Sequence, residues 1–305
     1  MPIDPSSICV VANPGSGRNS RDAAAIERAM AAFGPGVELR RWRKGDDLDA
    51  FVRMAVADGH STIVAAGGDG TVMGVAHALL GTDANLGVLP LGTFNYFARG
   101  LGLPQEPEAA ARAILGGHTR RISAGTVNGQ LFLNNASLGI YPTILQARED
   151  IYARWGRSRI MAHWSVARTL VRFQRPMRMR LTADGQPQDL RTPLVFVARS
   201  AYQLERFGLQ GAQAISDDRF AVFVVHGGTR WDLFKLAMRL ALRRVQVGRD
   251  VDLIYAHDLR VETGRSRPRV AFDGEKRRMS DPLEFRIEPM ALSIIVPDAV
   301  DKVAA

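Results

Sequence analysis

Apolar residues in the first 120 positions form short continuous runs that alternate with segments of helical spacing. Ile8 to Ala12 precedes a helical pattern over Asp22 to Phe33, and Val37 to Arg40 precedes one over Leu48 to Asp58. Thr62 to Ala66 leads into Thr71 to Leu80, and Leu86 to Leu89 into Asn95 to Leu101 and Pro107 to Leu115. Runs of this length, each followed by a helix, predict βαβ units and a largely parallel sheet.

From Ser123 the texture changes. Gln130 to Asn134, Met177 to Thr182, Pro193 to Ala198, Phe220 to Val225 and Leu253 to Glu262 are separated by turn signals such as Asn128-Gly129, Asp184-Gly185 and Gly227-Gly228. The expectation is an α/β domain over residues 1–122 and an antiparallel β-sandwich over 123–289. The last apolar run, Leu292 to Val296, can return to the first domain, a choice the pattern leaves open. Two basic amphipathic segments interrupt the β texture and read as helices: Arg148 to Arg180, with nine arginines, and Arg230 to Arg249, where Leu233, Leu236, Ala237, Leu240 and Ala241 recur at helical spacing.

Composition sharpens this picture at three points. The chain's 305 residues exceed a typical single domain, and 46% of them are hydrophobic, enough for two cores. The single cysteine, Cys9, lies in an apolar run, which excludes a disulfide framework and suits a reducing compartment. The net charge of +9 lies entirely beyond residue 122 and points to an anionic partner. Met1 to Pro5 lacks the order of a secretion signal, and no apolar run approaches the ~18 residues of a membrane span. A cytoplasmic protein, free or held at the inner membrane face, is therefore expected. The six histidines have no zinc spacing.

Candidate chemistry gathers where strands end in glycine and open into helices. Such junctions leave first-turn N–H groups without backbone partners and favour anions. Three occur: Asn13-Pro14-Gly15-Ser16-Gly17, Gly67-Gly68-Asp69-Gly70-Thr71 and Pro90-Leu91-Gly92-Thr93-Phe94-Asn95. In a parallel sheet all three lie at the carboxyl edge, where ligands bind. There is no GxxxxGK[ST] motif, and only a weak GxGxxxG spacing survives at Gly68, Gly70 and Gly74. Asp69 among the glycines reads either as an Asx turn capping its own helix or as a carboxylate facing phosphates across a cation. Asp273-Gly274-Glu275 reads either as a hairpin turn or as an extended segment aiming two carboxylates one way.

Together with Tyr96-Phe97-Ala98-Arg99, Phe132-Leu133-Asn134-Asn135 and the Asp273-Gly274-Glu275 element, these junctions resemble the diacylglycerol kinase catalytic-domain family, which is related to NAD kinases. Arg41 to Asp46 resembles its bacterial YegS-like lipid kinase subgroup. The resemblance implies a nucleotide-binding α/β domain, a β-sandwich lipid-substrate domain and an active cleft between them. It implies ATP bound by Asn13, Pro14, Gly15, Ser16 and Gly17, by Gly67, Gly68, Asp69, Gly70, Thr71, Val72 and Met73, and by Thr93 and Asn95. Arg41 stands where the subgroup has a nucleotide-contacting threonine.

The same resemblance implies Mg²⁺ held with the nucleotide by Asp69, Glu275 as the proton acceptor oriented by Asp273, and Asp69 as the rival base. A structural Mg²⁺ is implied at Asp217 and the carbonyls of Ala214 and Arg219, although Asp218 replaces the usual glycine and Ser123 a frequent aspartate; a plain turn at Asp217-Asp218 stays equally open. The implied partner is a lipid in an anionic membrane surface; no nucleic acid is expected, and a homodimer is left open. A soluble NAD kinase and a non-catalytic basic nucleic-acid or membrane binder remain the rival readings.

Overall fold

A computed structural model describes residues 3–13, 24–43, 45–139 and 176–297. The chain divides into two compact units, one of residues 1–124 and 288–305, the other of residues 125–287. It leaves the first within strand β5 (His118–Val127) and re-enters within β16 (Leu283–Val296).

The first unit is built on strands β1 (Ile8–Ala12), β2 (Glu38–Arg41), β3 (Thr62–Gly67) and β4 (Asn85–Pro90), parallel and ordered β2-β1-β3-β4. The end of β16 extends the sheet, Ser293 lying opposite Asn85 and Ile294 opposite Leu86, in parallel. Every residue of β1 and β3 is buried, as expected of strands covered on both faces. Helices α1 (Ala24–Phe33), α2 (Leu48–Ala57), α3 (Asp69–Ala78), α4 (Tyr96–Gly100) and α5 (Pro107–Leu115) make the crossovers. Asp47 starts α2 by accepting from the Asp49 and Ala50 N–H groups, and Pro107 starts α5 where its missing N–H costs nothing. Ile26, Phe33, Val64, Leu89, Ile114 and Ile295 join one core. Burial pushes the Cys9 thiol up to about 12, so it behaves as a core side chain.

The second unit is antiparallel throughout its described strands. One sheet runs β12 (Val251–Ala256), β11 (Phe220–Val225), β10 (Leu194–Ala198), β7 (Asn135–Gly139), β14 (Arg269–Phe272) and β15 (Glu275–Arg278). The other joins the start of β16 to β13 (Leu259–Glu262), β8 (Met177–Ala183) and β9 (Gln186–Thr192). Phe132 on β6 (Gln130–Phe132) stacks on Phe220 of the first sheet at 5.8 Å and meets Phe285 of the second edge-on at 6.3 Å, so aromatic rings fill the sandwich. Among the described residues three helices decorate it: α6 (Ala201–Phe207), α7 (Ala212–Ser216) and α8 (Arg230–Ala241).

Met177 to Arg180 falls both in the β run expected over Met177 to Thr182 and in the arginine-rich segment expected to be helical, and the β run is the one that forms. Met177 to Arg180 belongs to β8, whose alternating burial buries Met179 and exposes Arg178 and Arg180; residues 148–175 of that segment lie outside the described residues.

Candidate active site

Register brings Asn13, which opens the first glycine junction, and the second and third junctions to one edge of the first unit. Ala12 lies opposite Arg41 and Ala66, and Gly67 opposite Pro90, so β1, β2, β3 and β4 finish level. Asn13 donates its side-chain amide to the Thr71 hydroxyl at 3.3 Å and its N–H to the Ala66 carbonyl at 3.2 Å. The second and third junctions touch backbone to backbone: a Cβ on Gly92 would lie 2.4 Å from the Gly68 Cα. Glycine is therefore required there by close approach. Pro14, Gly15, Ser16 and Gly17 lie outside the described residues.

Helix α3 follows its N-cap Gly68 without a side-chain cap, which leaves the first-turn amides of Gly70 and Thr71 to an anion, the Asp69 N–H already facing its own carboxylate. Val72 differs from expectation: its N–H already donates to the Gly68 carbonyl at 3.0 Å, and the Val72 and Met73 side chains are buried. Asn95 differs as well. In a left-handed conformation, φ 53°, it accepts from the Gly92 N–H at 2.9 Å and donates to the Pro90 and Gly92 carbonyls and Gln105 at 3.2 Å each. Its polar atoms hold the loop that presents exposed Thr93. Arg41, the last residue of β2, pairs with Glu27 at 3.0 Å.

Asp69 does not cap its own helix. Its Oδ1 accepts the Phe97 N–H at 3.1 Å, at the start of α4, and so ties the second junction to the third. Burial raises its carboxyl above the usual carboxylate range, opposed by the backbone N–H groups of Phe97, Tyr96 and Asn95. A half-buried carboxylate beside first-turn amides fits Mg²⁺, which is commonly held by one or two carboxylates together with substrate phosphates.

In the second unit the Asp273-Gly274 pair is the hairpin turn. Phe272 pairs directly with Glu275, and both turn residues have positive φ, 45° and 90°, the pattern of a type I′ turn. The extended-strand periodicity that would aim both carboxylates one way therefore does not apply. Asp273, only 8% exposed, accepts from the N–H groups of Leu133 (2.6 Å), Asn134 (2.8 Å) and Asn135 (3.0 Å). It positions the turn; Glu275 stands exposed one residue beyond it.

Sequence reasoning missed what surrounds this turn. Asn135 donates to Gln203 at 2.9 Å, and Asn134 Oδ1 is buried without a hydrogen-bond partner among the described residues. The run Leu133-Asn134-Asn135 carried the signal, since two adjacent amides after an apolar strand need buried partners.

The expected structural Mg²⁺ site does not fit its residues. The Ala214 carbonyl accepts the Arg219 N–H at 2.8 Å, and Asp217 accepts from the Gln213 side chain at 2.8 Å. Positive charge is already supplied by Arg199, whose 7%-exposed guanidinium pairs with Asp218 and donates to the Ile215 carbonyl. Asp218, in the left-handed region where the family has glycine, is thus the partner of an arginine. Accordingly, adding Mg²⁺ or EDTA without nucleotide leaves the melting temperature unmoved, whereas Arg199→Met lowers stability by about 2 kcal/mol, the scale of a hydrogen bond to a charged group. Calorimetry checks both.

Residues 7–127 match the family model of the diacylglycerol kinase catalytic domain, and residues 143–296 that of the YegS C-terminal NAD kinase beta sandwich-like domain. A probable lipid kinase YegS-like protein of Pseudomonas aeruginosa is 42% identical over 140 residues, 45% of each chain. A diacylglycerol kinase of Mycobacterium tuberculosis is 33% identical over 186 residues, 58% of this chain and 59% of that one. The match thus spans less than half the length of the first of these relatives. A crystal structure of a putative diacylglycerol kinase from Bacillus anthracis superposes with a TM-score of 0.72 at 22% identity, covering 96% of this chain and 98% of that one, a likeness of fold.

Proposed function

The chain belongs to the diacylglycerol kinase catalytic-domain family with a YegS-type C-terminal domain, and from that premise we propose that it is an ATP-dependent lipid kinase acting at an anionic membrane surface on the cytoplasmic side. The observation that carries this reading is the meeting of Asn13, Gly68 to Thr71 and Gly92 to Asn95 at one sheet edge around a carboxylate.

The amides of Gly70 and Thr71 bind phosphate oxygens, and the Gly68–Gly92 contact keeps side chains out of their way. Asp69 would hold Mg²⁺, which when bound would supply positive charge to the phosphates. Glu275 accepts the proton of a lipid hydroxyl as that oxygen bonds to the γ-phosphorus; the bond from phosphorus to the β-phosphate oxygen breaks and ADP leaves. Asp273, by fixing its turn on the Leu133–Asn135 amides, positions Glu275.

Incubation with γ-labelled ATP, a mixed lipid extract and NAD tests the reading. Label enters the lipid fraction, and Glu275→Gln depresses that transfer by about 100-fold or more while ATP binding is kept. Label in NAD instead, or no transfer at all, overturns it.

A further inference from the structure

The basic helix α8 is apolar on two opposite sides. One side is that of the sequence pattern: Leu233 is buried and Leu236 packs beside it against Ala198, Phe223, Val225 and Val251 of the sandwich. The other escapes a search for a single stripe. Trp231 (71% exposed), Phe234 (45%), Met238 (47%) and Leu242 (59%) follow at spacings of three and four residues and line up along the outer face for about 16 Å. Trp231 and Phe234 meet edge-on at 5.8 Å, which makes one continuous aromatic surface of them.

Charge frames this stripe. Arg230 and Lys235 flank it on the helix, and Arg243 and Arg244 follow its end. The only carboxylate between residues 230 and 249, Asp232, is engaged at the helix start, where it accepts the Thr229 and Gly228 N–H groups and the Thr229 hydroxyl. Arg239, nearer the body, pairs with Asp250. The outer face therefore combines large apolar side chains with a rim of one sign, the composition of a helix lying in a lipid interface. A capping box rigidifies it before any partner arrives.

We propose that α8 is a membrane-docking element: Trp231, Phe234, Met238 and Leu242 enter the boundary between headgroups and acyl chains of an anionic bilayer, and Arg230, Lys235, Arg243 and Arg244 meet lipid phosphates. The choice of a bilayer as occupant rests on the lipid-kinase reading. It also follows from the positive rim, which would repel the same rim on a second copy of the chain.

The full-length protein is floated with vesicles of phosphatidylcholine alone or mixed with phosphatidylglycerol. The wild type floats with the mixed vesicles, less so at high salt. Trp231→Ser/Phe234→Ser reduces that binding at least about tenfold, and Arg230→Glu/Lys235→Glu reduces it at least about fivefold per charge and removes the anionic preference. Both sets are exposed, and unchanged circular dichroism confirms that the variants fold. As a second readout, Trp fluorescence of the wild type shifts to the blue on adding mixed vesicles, and Trp231→Phe abolishes most of that shift.

Vesicle binding undiminished in both double variants, or a concentration-dependent dimer that the Trp231/Phe234 variant dissolves while no vesicle is bound, overturns the proposal. Its fate is separable from that of the kinase reading: transfer to a short-chain acceptor dispersed in water proceeds in the Trp231/Phe234 variant if the kinase reading holds and is absent from the wild type too if it fails, whatever the flotation result.

Discussion

Asp69→Asn lowers phosphoryl transfer at least about 100-fold while leaving the melting temperature at pH 8 unchanged or higher. The loss follows whether Asp69 acts as magnesium ligand or as base, since an amide accepts no proton and offers the cation a neutral oxygen without the carboxylate's charge. The gain in stability comes from burial, which raises the Asp69 carboxyl above its ordinary value. A carboxyl whose folded pKa exceeds its unfolded one adds stability that is complete below the unfolded pKa, about 3.9, and disappears as pH climbs through the folded value. At neutral and alkaline pH the ionised group is a burden that asparagine lifts, and Asn Oδ1 can still accept the Phe97 N–H. The difference between variant and wild type vanishes at acid pH. Thermal melts from acid to alkaline pH, beside the labelled-ATP assay, check both halves; a variant less stable at pH 8 than at acid pH relative to wild type would contradict the account of Asp69.

Gly92→Ala abolishes most nucleotide binding, weakening it at least tenfold on the approximate scale of one hydrogen-bonded anion contact. The new methyl would sit 2.4 Å from the Gly68 Cα and 2.6 Å from Asn95 Oδ1, both too close to coexist with the present backbone. The β3–α3 and β4–α4 junctions must then part, and with them the amides of Gly70 and Thr71. Overpacking of this kind costs about 1–3 kcal/mol, so the melting temperature falls by several degrees as well. Gly228→Ala is the matched control, because nothing lies within 4 Å of its added carbon. Isothermal titration with ATP and a thermal melt on each variant give the comparison.

Much of this arrangement is written in short-range pattern. Buried parallel strands read as unbroken apolar runs, which is why β1, β3 and β4 are found within a residue or so of the expected limits. Glycines at strand ends announce the junctions, because only close backbone approach or an unusual φ demands them. Side-chain allegiance is what pattern withholds. Asp69 serves α4 instead of its own helix, Asp273 serves the amides of residues 133–135, and Arg199 serves the turn expected to hold a metal. Each of these bonds joins residues far enough apart in sequence that only the folded register brings them together. The same holds for α8: a helix with two apolar sides has no single stripe, so the inward leucines conceal the outward aromatics.

The passage of the chain out of the first unit within β5 and back within β16 bears on how the gene can be cut. A fragment stopping near Ala124 lacks the strand that pairs with Asn85 and Leu86 and leaves β4 with a row of unpaired N–H and C=O groups, an open template for aggregation. The first unit is therefore to be produced with residues 288–296 rejoined to it by a linker, and the second unit excised as an internal insert.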